Sequence, residues 1–348
     1  MIDTKNLKLS VASSPHVSSP AGTRNLMLDV LVALVPALIM AAYFFGPRAL
    51  LLTAVSVAGC EFFEWAYRKA LKKPGAAGDL SAAVTGVLLA FVCPVTLPYW
   101  TILVGDFFAI VIVKQLFGGL GQNFMNPALG GRAFLMMSYP VAMTTWVLPG
   151  TPNWAGIVSA ADAVTGATPL SNDFMHSGVM PDGVSLMDMF VGNVGGCVGE
   201  ISALMLLLGG IYLIWRGTIR VRIPAAFLGT VAALTFLFPK NGVGNVEWMA
   251  AQLCSGGLML GAFFMATDYV TSPVTKKGEL YFGVGCGLLT VLIRYFGGYP
   301  EGVSYAILIM NVCVWLLDKA GKPGRFGVTA EAKKAAREAR KRAKKEAA

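Results

Sequence analysis

Ten apolar runs follow one another along the 348 residues of this chain, over residues 26–45, 49–66, 79–95, 99–117, 128–148, 190–214, 221–238, 247–266, 279–297 and 302–318. A helix needs about 20 apolar residues to cross the hydrocarbon core of a bilayer. Because only helices and closed barrels satisfy their own backbone there, the runs predict an all-α polytopic membrane protein. Charged residues are 14% of the chain, against roughly 25% in soluble domains. That balance excludes disorder, a collagen-like repeat and a secreted disulfide scaffold.

The net charge of +9 resembles a nucleic-acid signal until its origin is traced: eleven of the 28 Lys and Arg lie between Lys319 and Lys345. Loops rich in Lys and Arg stay in the cytoplasm. With both termini inside, the cytoplasmic segments hold 25 of the 28, including Lys114 and Arg132, and only Arg48, Lys240 and Arg294 fall outside. The polar stretch before the first run is not a cleavable signal peptide in this reading. The chain divides into a cytoplasmic segment 1–25, a first five-helix unit 26–148, an external loop 149–189, a second five-helix unit 190–318 and a basic tail 319–348. The tail reads as a charged helix beginning near Thr329, either a solvated extension or a contact for anionic lipid or an acidic partner.

The two units look related. Cys93-Pro94-Val95-Thr96 parallels Ser272-Pro273-Val274-Thr275, and Phe117-Gly118-Gly119 parallels Phe296-Gly297-Gly298, both at an offset of 179 residues. Five helices per unit is an odd number, so the second unit enters the membrane inverted, an arrangement that builds transporter-like scaffolds with broken helices. Residues 121–131 and 268–278, rich in Gly and Pro, are candidates for such breaks or ordinary loop punctuation.

Chemistry is scarce in the remaining residues. Six widely spaced cysteines and two histidines, His16 and His176, form no metal-binding spacing, so no metal is expected. Gly283-Val284-Gly285-Cys286-Gly287 lies inside an apolar run, where small residues favour close helix packing rather than dinucleotide binding. Glu61, Asp106 and Glu200 fall within apolar runs and Asp268 precedes Pro273. Ionisable groups so placed are candidates for an ion path, or partners to a helix end or to an Arg such as Arg132. The external loop has no Lys or Arg and contains Asp162-Ala163-Val164-Thr165-Gly166-Ala167-Thr168-Pro169. Small residues before Thr168 leave its hydroxyl accessible, and Pro169 biases it toward extended backbone; by residue chemistry alone the stretch is equally a punctuated turn.

That stretch resembles the Asp-x-x-Ser/Thr-Gly-Ala-Thr flavinylation sequence. Ser14-Pro15-His16, Gly118-Gly119-Leu120-Gly121-Gln122-Asn123 with Asn126-Pro127-Ala128, Arg132-Ala133-Phe134-Leu135, Gly199-Glu200 with Ser202-Ala203, and Phe264-Met265-Ala266-Thr267-Asp268 follow in the order of the same family. On these motifs, spanning residues 14 to about 320, the chain is similar to the NqrB/RnfD family. Its members are the D-type membrane subunit of the Rnf ion-translocating oxidoreductase complex and the B-type membrane subunit of the sodium-translocating NADH:quinone reductase. The short segment before the first run resembles the Rnf member more closely. The resemblance implies FMN joined through its phosphate to Thr168 by a flavin transferase, with Asp162, Thr165, Gly166 and Ala167 as motif residues. It also implies electron passage coupled to sodium or proton transport in the bacterial cytoplasmic membrane, beside other subunits of the complex. NAD is expected on another subunit, no nucleic acid is expected, and a second, noncovalent flavin is left open. A flavin-free transporter or channel on the same inverted repeat is the alternative from a different class.

Overall fold

The computed structural model describes residues 22–72, 78–149, 170, 185–240, 244–297 and 301–322. These residues form helices α1 (Thr23–Phe45), α2 (Pro47–Ala70), α3 (Ser81–Phe91) and α4 (Tyr99–Phe107), which runs on as a π-helical stretch over Phe108–Gln115. Next come α5 (Pro127–Ser138), the single turn α6 (Pro140–Met143), α7 (Leu186–Val191), α8 (Ala203–Trp215), α9 (Arg222–Leu237) and α10 (Asn245–Cys254). The last are α11 (Leu258–Leu260), which continues as a second π-helical stretch over Gly261–Met265, then α12 (Lys276–Phe296) and α13 (Val303–Gly321).

Apolar surface appears on both sides of the long helices, as a lipid solvent requires. On α1, Ala33, Leu34, Ala37 and Ala41 are buried while Val32, Ile39 and Tyr43 on the other side are exposed. Helices α1, α2, α12 and α13 are long and apolar enough to cross a membrane, and α10 with α11 and its π stretch makes a fifth candidate, bent by 65°. Every one of the ten sequence runs coincides with helix, but several helices are shorter than the runs. The run 190–214 is interrupted over residues 192–202, because Gly192 takes a positive φ of 119° and Ser202 recaps the chain by accepting from Met205 N. The run 247–266 breaks over residues 255–257, where Gly256 and Gly257 have φ of 64° and 65°. The run 128–148 is interrupted at Tyr139 beside Pro140. Residues 121–131 and 268–278, weighed above as breaks or loop punctuation, contain the connections before α5 and α12 together with the first turns of those helices, which is the second of those readings.

Packing relates neighbours within each unit, and helices of the two units also meet. α2 lies on α3 and α4, and α9 on α10 and α12; α1 meets α8 and α5 meets α13. Small residues set the closest approach. A Cβ added at Gly283 of α12 would stand 2.8 Å from the carbonyl oxygen of Ile223 on α9, and one at Gly287 would stand 3.0 Å from that of Phe227. The glycine run read above as a packing device therefore serves as one.

Charge placement departs from the simple loop count. Lys114 and Arg132, assigned above to cytoplasmic segments, are buried between helices: Lys114 Nζ reaches Glu64 Oε2 at 2.7 Å and Ser81 Oγ at 2.6 Å, and Arg132 is held by Glu200. Arg48 and Arg294, two of the three exceptions to that count, are also buried, and both donate to backbone carbonyls. Each of these four cations answers a local partner, so none is free to report the side of the membrane. Free cysteines Cys60, Cys93, Cys197 and Cys286 are buried and Cys254 and Cys313 half-buried, in keeping with small apolar packing residues.

Candidate functional site

Two non-helical segments meet beside the break in the sixth run. The chain leaving α3 and the chain between α7 and α8 pair by backbone: Val198 N donates to Cys93 O at 3.0 Å and Gly199 N to Phe91 O at 2.9 Å. Gly199 is required there, since a Cβ would sit 2.2 Å from the Phe91 ring. This pairing satisfies backbone groups that no helix serves, which a membrane interior demands.

Arg132 enters the junction from α5. Asn126 starts that helix, its side-chain oxygen accepting from Ala128 N and Leu129 N ahead of Pro127 at the first helical position. Arg132 Nη1 donates to Glu200 Oε1 at 3.0 Å, and Nη2 pairs with Glu301 just before α13. Side-chain exposures of 4%, 8% and 17% for Arg132, Glu200 and Glu301 place the trio out of water. Cys197, Glu200 and Glu301 have donor atoms within 4.8 Å of one another, and the Arg132 guanidinium already bonds one oxygen of each acid, so the described residues form an ion triad.

The other wall is the break at residues 255–257. Arg294 donates to Gln252 O at 2.6 Å, Gln252 Oε1 at 3.0 Å and Ser255 O at 2.9 Å, holding carbonyls freed by the end of α10. Glu200 packs where a Cβ on Gly257 would lie, and Leu170 packs where one on Gly256 would lie. Leu170 is buried, and with Glu200, Glu301 and Gly256 it lines a small pocket. Thr168, Asp162, Thr165, Gly166 and Ala167 lie outside the described residues; Leu170 is two positions beyond Thr168 in the chain.

The remaining sequence candidates lie elsewhere. Asp106 is buried in α4, its Oδ1 2.7 Å from Ser56 Oγ and 3.2 Å from Cys60 Sγ. Glu61 is half-buried on α2. Asp268 follows the second π stretch and accepts from Thr271 Oγ1 at 3.0 Å. It lines a cavity with Ser81, Lys114, Asn123, Asn126 and Tyr269, so the Gly-Gly-Leu-Gly-Gln-Asn and Ala-Thr-Asp motifs meet at one place. Two participants carried no sequence signal as site residues: Glu301, in a Pro-Glu-Gly connection, and Arg294, near the end of an apolar run.

The comparisons with known proteins agree with one another. A model of the NQR2, RnfD, RnfE family matches residues 10–327. A relative from Acetobacterium woodii, the D-type subunit of the Na(+)-translocating ferredoxin:NAD(+) oxidoreductase complex, is 48% identical over 93% of this chain and 96% of its own length. One from Clostridium ljungdahlii, the D-type subunit of the proton-translocating ferredoxin:NAD(+) oxidoreductase complex, is 41% identical over 93% and 97%. The D-type subunit of the ion-translocating oxidoreductase complex of Actinobacillus succinogenes is 36% identical over 90% and 96%.

Proposed function

The chain belongs to the NQR2, RnfD, RnfE family, and from that premise we propose that it is the flavin-bearing membrane subunit of an ion-translocating ferredoxin:NAD oxidoreductase complex, inactive alone. The observation that carries this reading is similarity to the D-type subunits over nine-tenths of the chain, together with the Asp162 to Thr168 motif. Relatives named for sodium and for proton translocation both match, so the coupling ion is set by detail finer than the fold.

FMN esterified to Thr168 through its phosphate supplies the electron-carrying chemistry, and the protein supplies position and electrostatics. In this reading Leu170 anchors the acceptor loop against the break at residues 255–257, beside the Arg132–Glu200–Glu301 triad. The loop faces the outside and both termini the cytoplasm, and the ten helices form two inverted five-helix units. The last point is supported by the corresponding packing of α2 on α3 and α4 and of α9 on α10 and α12.

The cavity beside Lys114 and Asp268 is the place we assign to a second, noncovalent flavin. The Asn123 amide, the Lys114 ammonium and the Asp268 carboxyl offer donors and acceptors to a ring edge, against apolar Val84 and Phe264. In-gel ultraviolet fluorescence of the denatured chain, produced with a flavin transferase, tests the covalent cofactor. A dark band would favour a flavin-free transporter on the same scaffold.

A further inference from the structure

A second polar feature lies apart from the triad, on the side of the molecule where α2 packs against α3 and α4. Ser56, Cys60, Glu64 and Arg68 recur along α2 at four-residue intervals and so form one stripe. Glu64 accepts from Arg68 at 2.6 Å and from Lys114 at 2.7 Å, and Lys114 also reaches Ser81 of α3 at 2.6 Å. Lys114 belongs to the π-helical stretch after α4, where Leu116 N bonds back five residues to Val111 O. That wider turn changes the direction in which later side chains point, and Lys114 meets the α2 stripe to which Asp106, eight residues earlier, also turns. Ser81 and Lys114 line the cavity described above, so the stripe opens on it.

A proton on Asp106 is what lets both contacts of Ser56 be full hydrogen bonds at once. Ser56 Oγ lies 2.9 Å from Gly86 O and 2.7 Å from Asp106 Oδ1. A hydroxyl has one hydrogen, and a backbone carbonyl only accepts. With Ser56 donating to Gly86, the 2.7 Å contact needs a proton on Asp106. Cys60 then donates to the same carboxyl oxygen at 3.2 Å, and the chain Cys60 to Asp106 to Ser56 to Gly86 runs in one direction with every hydrogen used, an arrangement that polarises cooperatively. Oδ2 is buried with no hydrogen-bond partner. A carboxylate oxygen left so would cost far more than the carbonyl oxygen of a neutral acid. The charged groups on the surrounding elements are engaged elsewhere or turned to the surface: Lys114 by Glu64, Arg132 by Glu200 and Glu301, with Glu61 half-buried.

We infer that Asp106 is a neutral carboxylic acid, a proton-loading site that exchanges its proton with the cavity past Cys60 and Glu64 of the α2 stripe and the Lys114 and Ser81 groups that join the stripe to the cavity. For release the Asp106 O–H turns from Ser56 to Cys60, the thiol takes that hydrogen as it gives its own S–H hydrogen on toward the Glu64 carboxylate, and the reverse sequence reloads the acid. The loading role rests on the ion-translocating reading above; the protonation state does not.

The test is infrared spectroscopy of the full chain in lipid bilayers, joined to transport by the assembled complex in vesicles. A carboxylic-acid carbonyl band at neutral pH, shifted in D2O, is expected in wild type, absent in Asp106→Asn and moved in frequency in Ser56→Ala, which keeps the acid but removes its acceptor. Asp106→Asn complexes that retain flavin should move fewer ions per electron than wild type. No band difference between wild type and Asp106→Asn would overturn the neutral acid, and an unchanged ion-to-electron ratio would overturn the loading role. Loss of covalent flavin from wild type would instead count against the functional reading and leave the infrared result standing.

Discussion

Replacing Arg132 with Met is the perturbation whose size the structure sets most directly. The wild-type guanidinium is buried between two carboxylates, Glu200 at 3.0 Å and Glu301. Removing it leaves both acids without a partner in a site shielded from water. Deleting one partner of a buried ion pair costs about 3–5 kcal/mol, or roughly a hundredfold to a few thousandfold in the unfolding equilibrium at about 1.4 kcal/mol per decade. Glu200→Gln differs in kind: Arg132 keeps Glu301, and the amide oxygen still accepts a hydrogen bond, so the loss should be about 1–2 kcal/mol. In the double variant only Glu301 stays unpaired, so the two losses should not add, and a coupling energy of about 1.5 kcal/mol or more is expected. Equilibrium unfolding in mixed detergent micelles measures all four proteins of the cycle. Additivity within about 0.5 kcal/mol, or an Arg132→Met variant as stable as wild type, would refute the triad.

Three other outcomes follow from the same geometry. Glu200→Gln complexes should assemble and carry flavin yet move fewer ions per electron; equal transport and turnover in the same proteoliposomes would confine Glu200 to a structural role. Reporter fusions at Ser171 and Ala330 should report opposite sides of the membrane, and a shared side would end the ten-span arrangement. Asp188 closes the capping box that Ser185 opens at the start of α7, its carboxylate accepting from the Ser185 hydroxyl at 2.6 Å and from its N–H at 3.0 Å, and these bonds hold its pKa below the ordinary value. A lowered pKa makes the cap's contribution complete above about pH 4, the ordinary Asp value, and lost as pH falls further. Hydrogen exchange at residues 188–191 should therefore quicken on acidification in wild type and stay pH-independent, beyond intrinsic rates, in Asp188→Asn.

Periodicity and length in the sequence located the helices but not their interruptions. Apolar runs report apolar surroundings, whether lipid or packed helix; a bend at Ser255-Gly256-Gly257 keeps the run apolar while ending the helix, so hydropathy passes over it. The close packing of α12 on α9 was legible, because Gly at four-residue spacing inside an apolar helix has few other uses. Arg132 and Glu200 were each visible as isolated charges among apolar neighbours, which must find partners. That they find each other, with Glu301, depends on three segments far apart in sequence. Lys114 misled for a related reason: a cation at the end of an apolar run reads as a loop charge unless the π-helical turn that directs it to Glu64 is known. Arg48 and Arg294 contradicted the loop count because they cap carbonyls at Val95 and Ser255, a task set by tertiary structure.

The central claim is that this chain carries FMN on Thr168, and the intact mass of the protein produced with its flavin transferase tests it most directly. Wild type and Thr165→Ala should each be heavier than their polypeptide by one FMN less the water lost in forming the phosphoester. Thr168→Ala should have the bare polypeptide mass while inserting normally, since it removes one hydroxyl and leaves every apolar run unchanged. An unmodified wild-type chain, or a Thr168→Ala chain that still bears the added mass, would contradict the account.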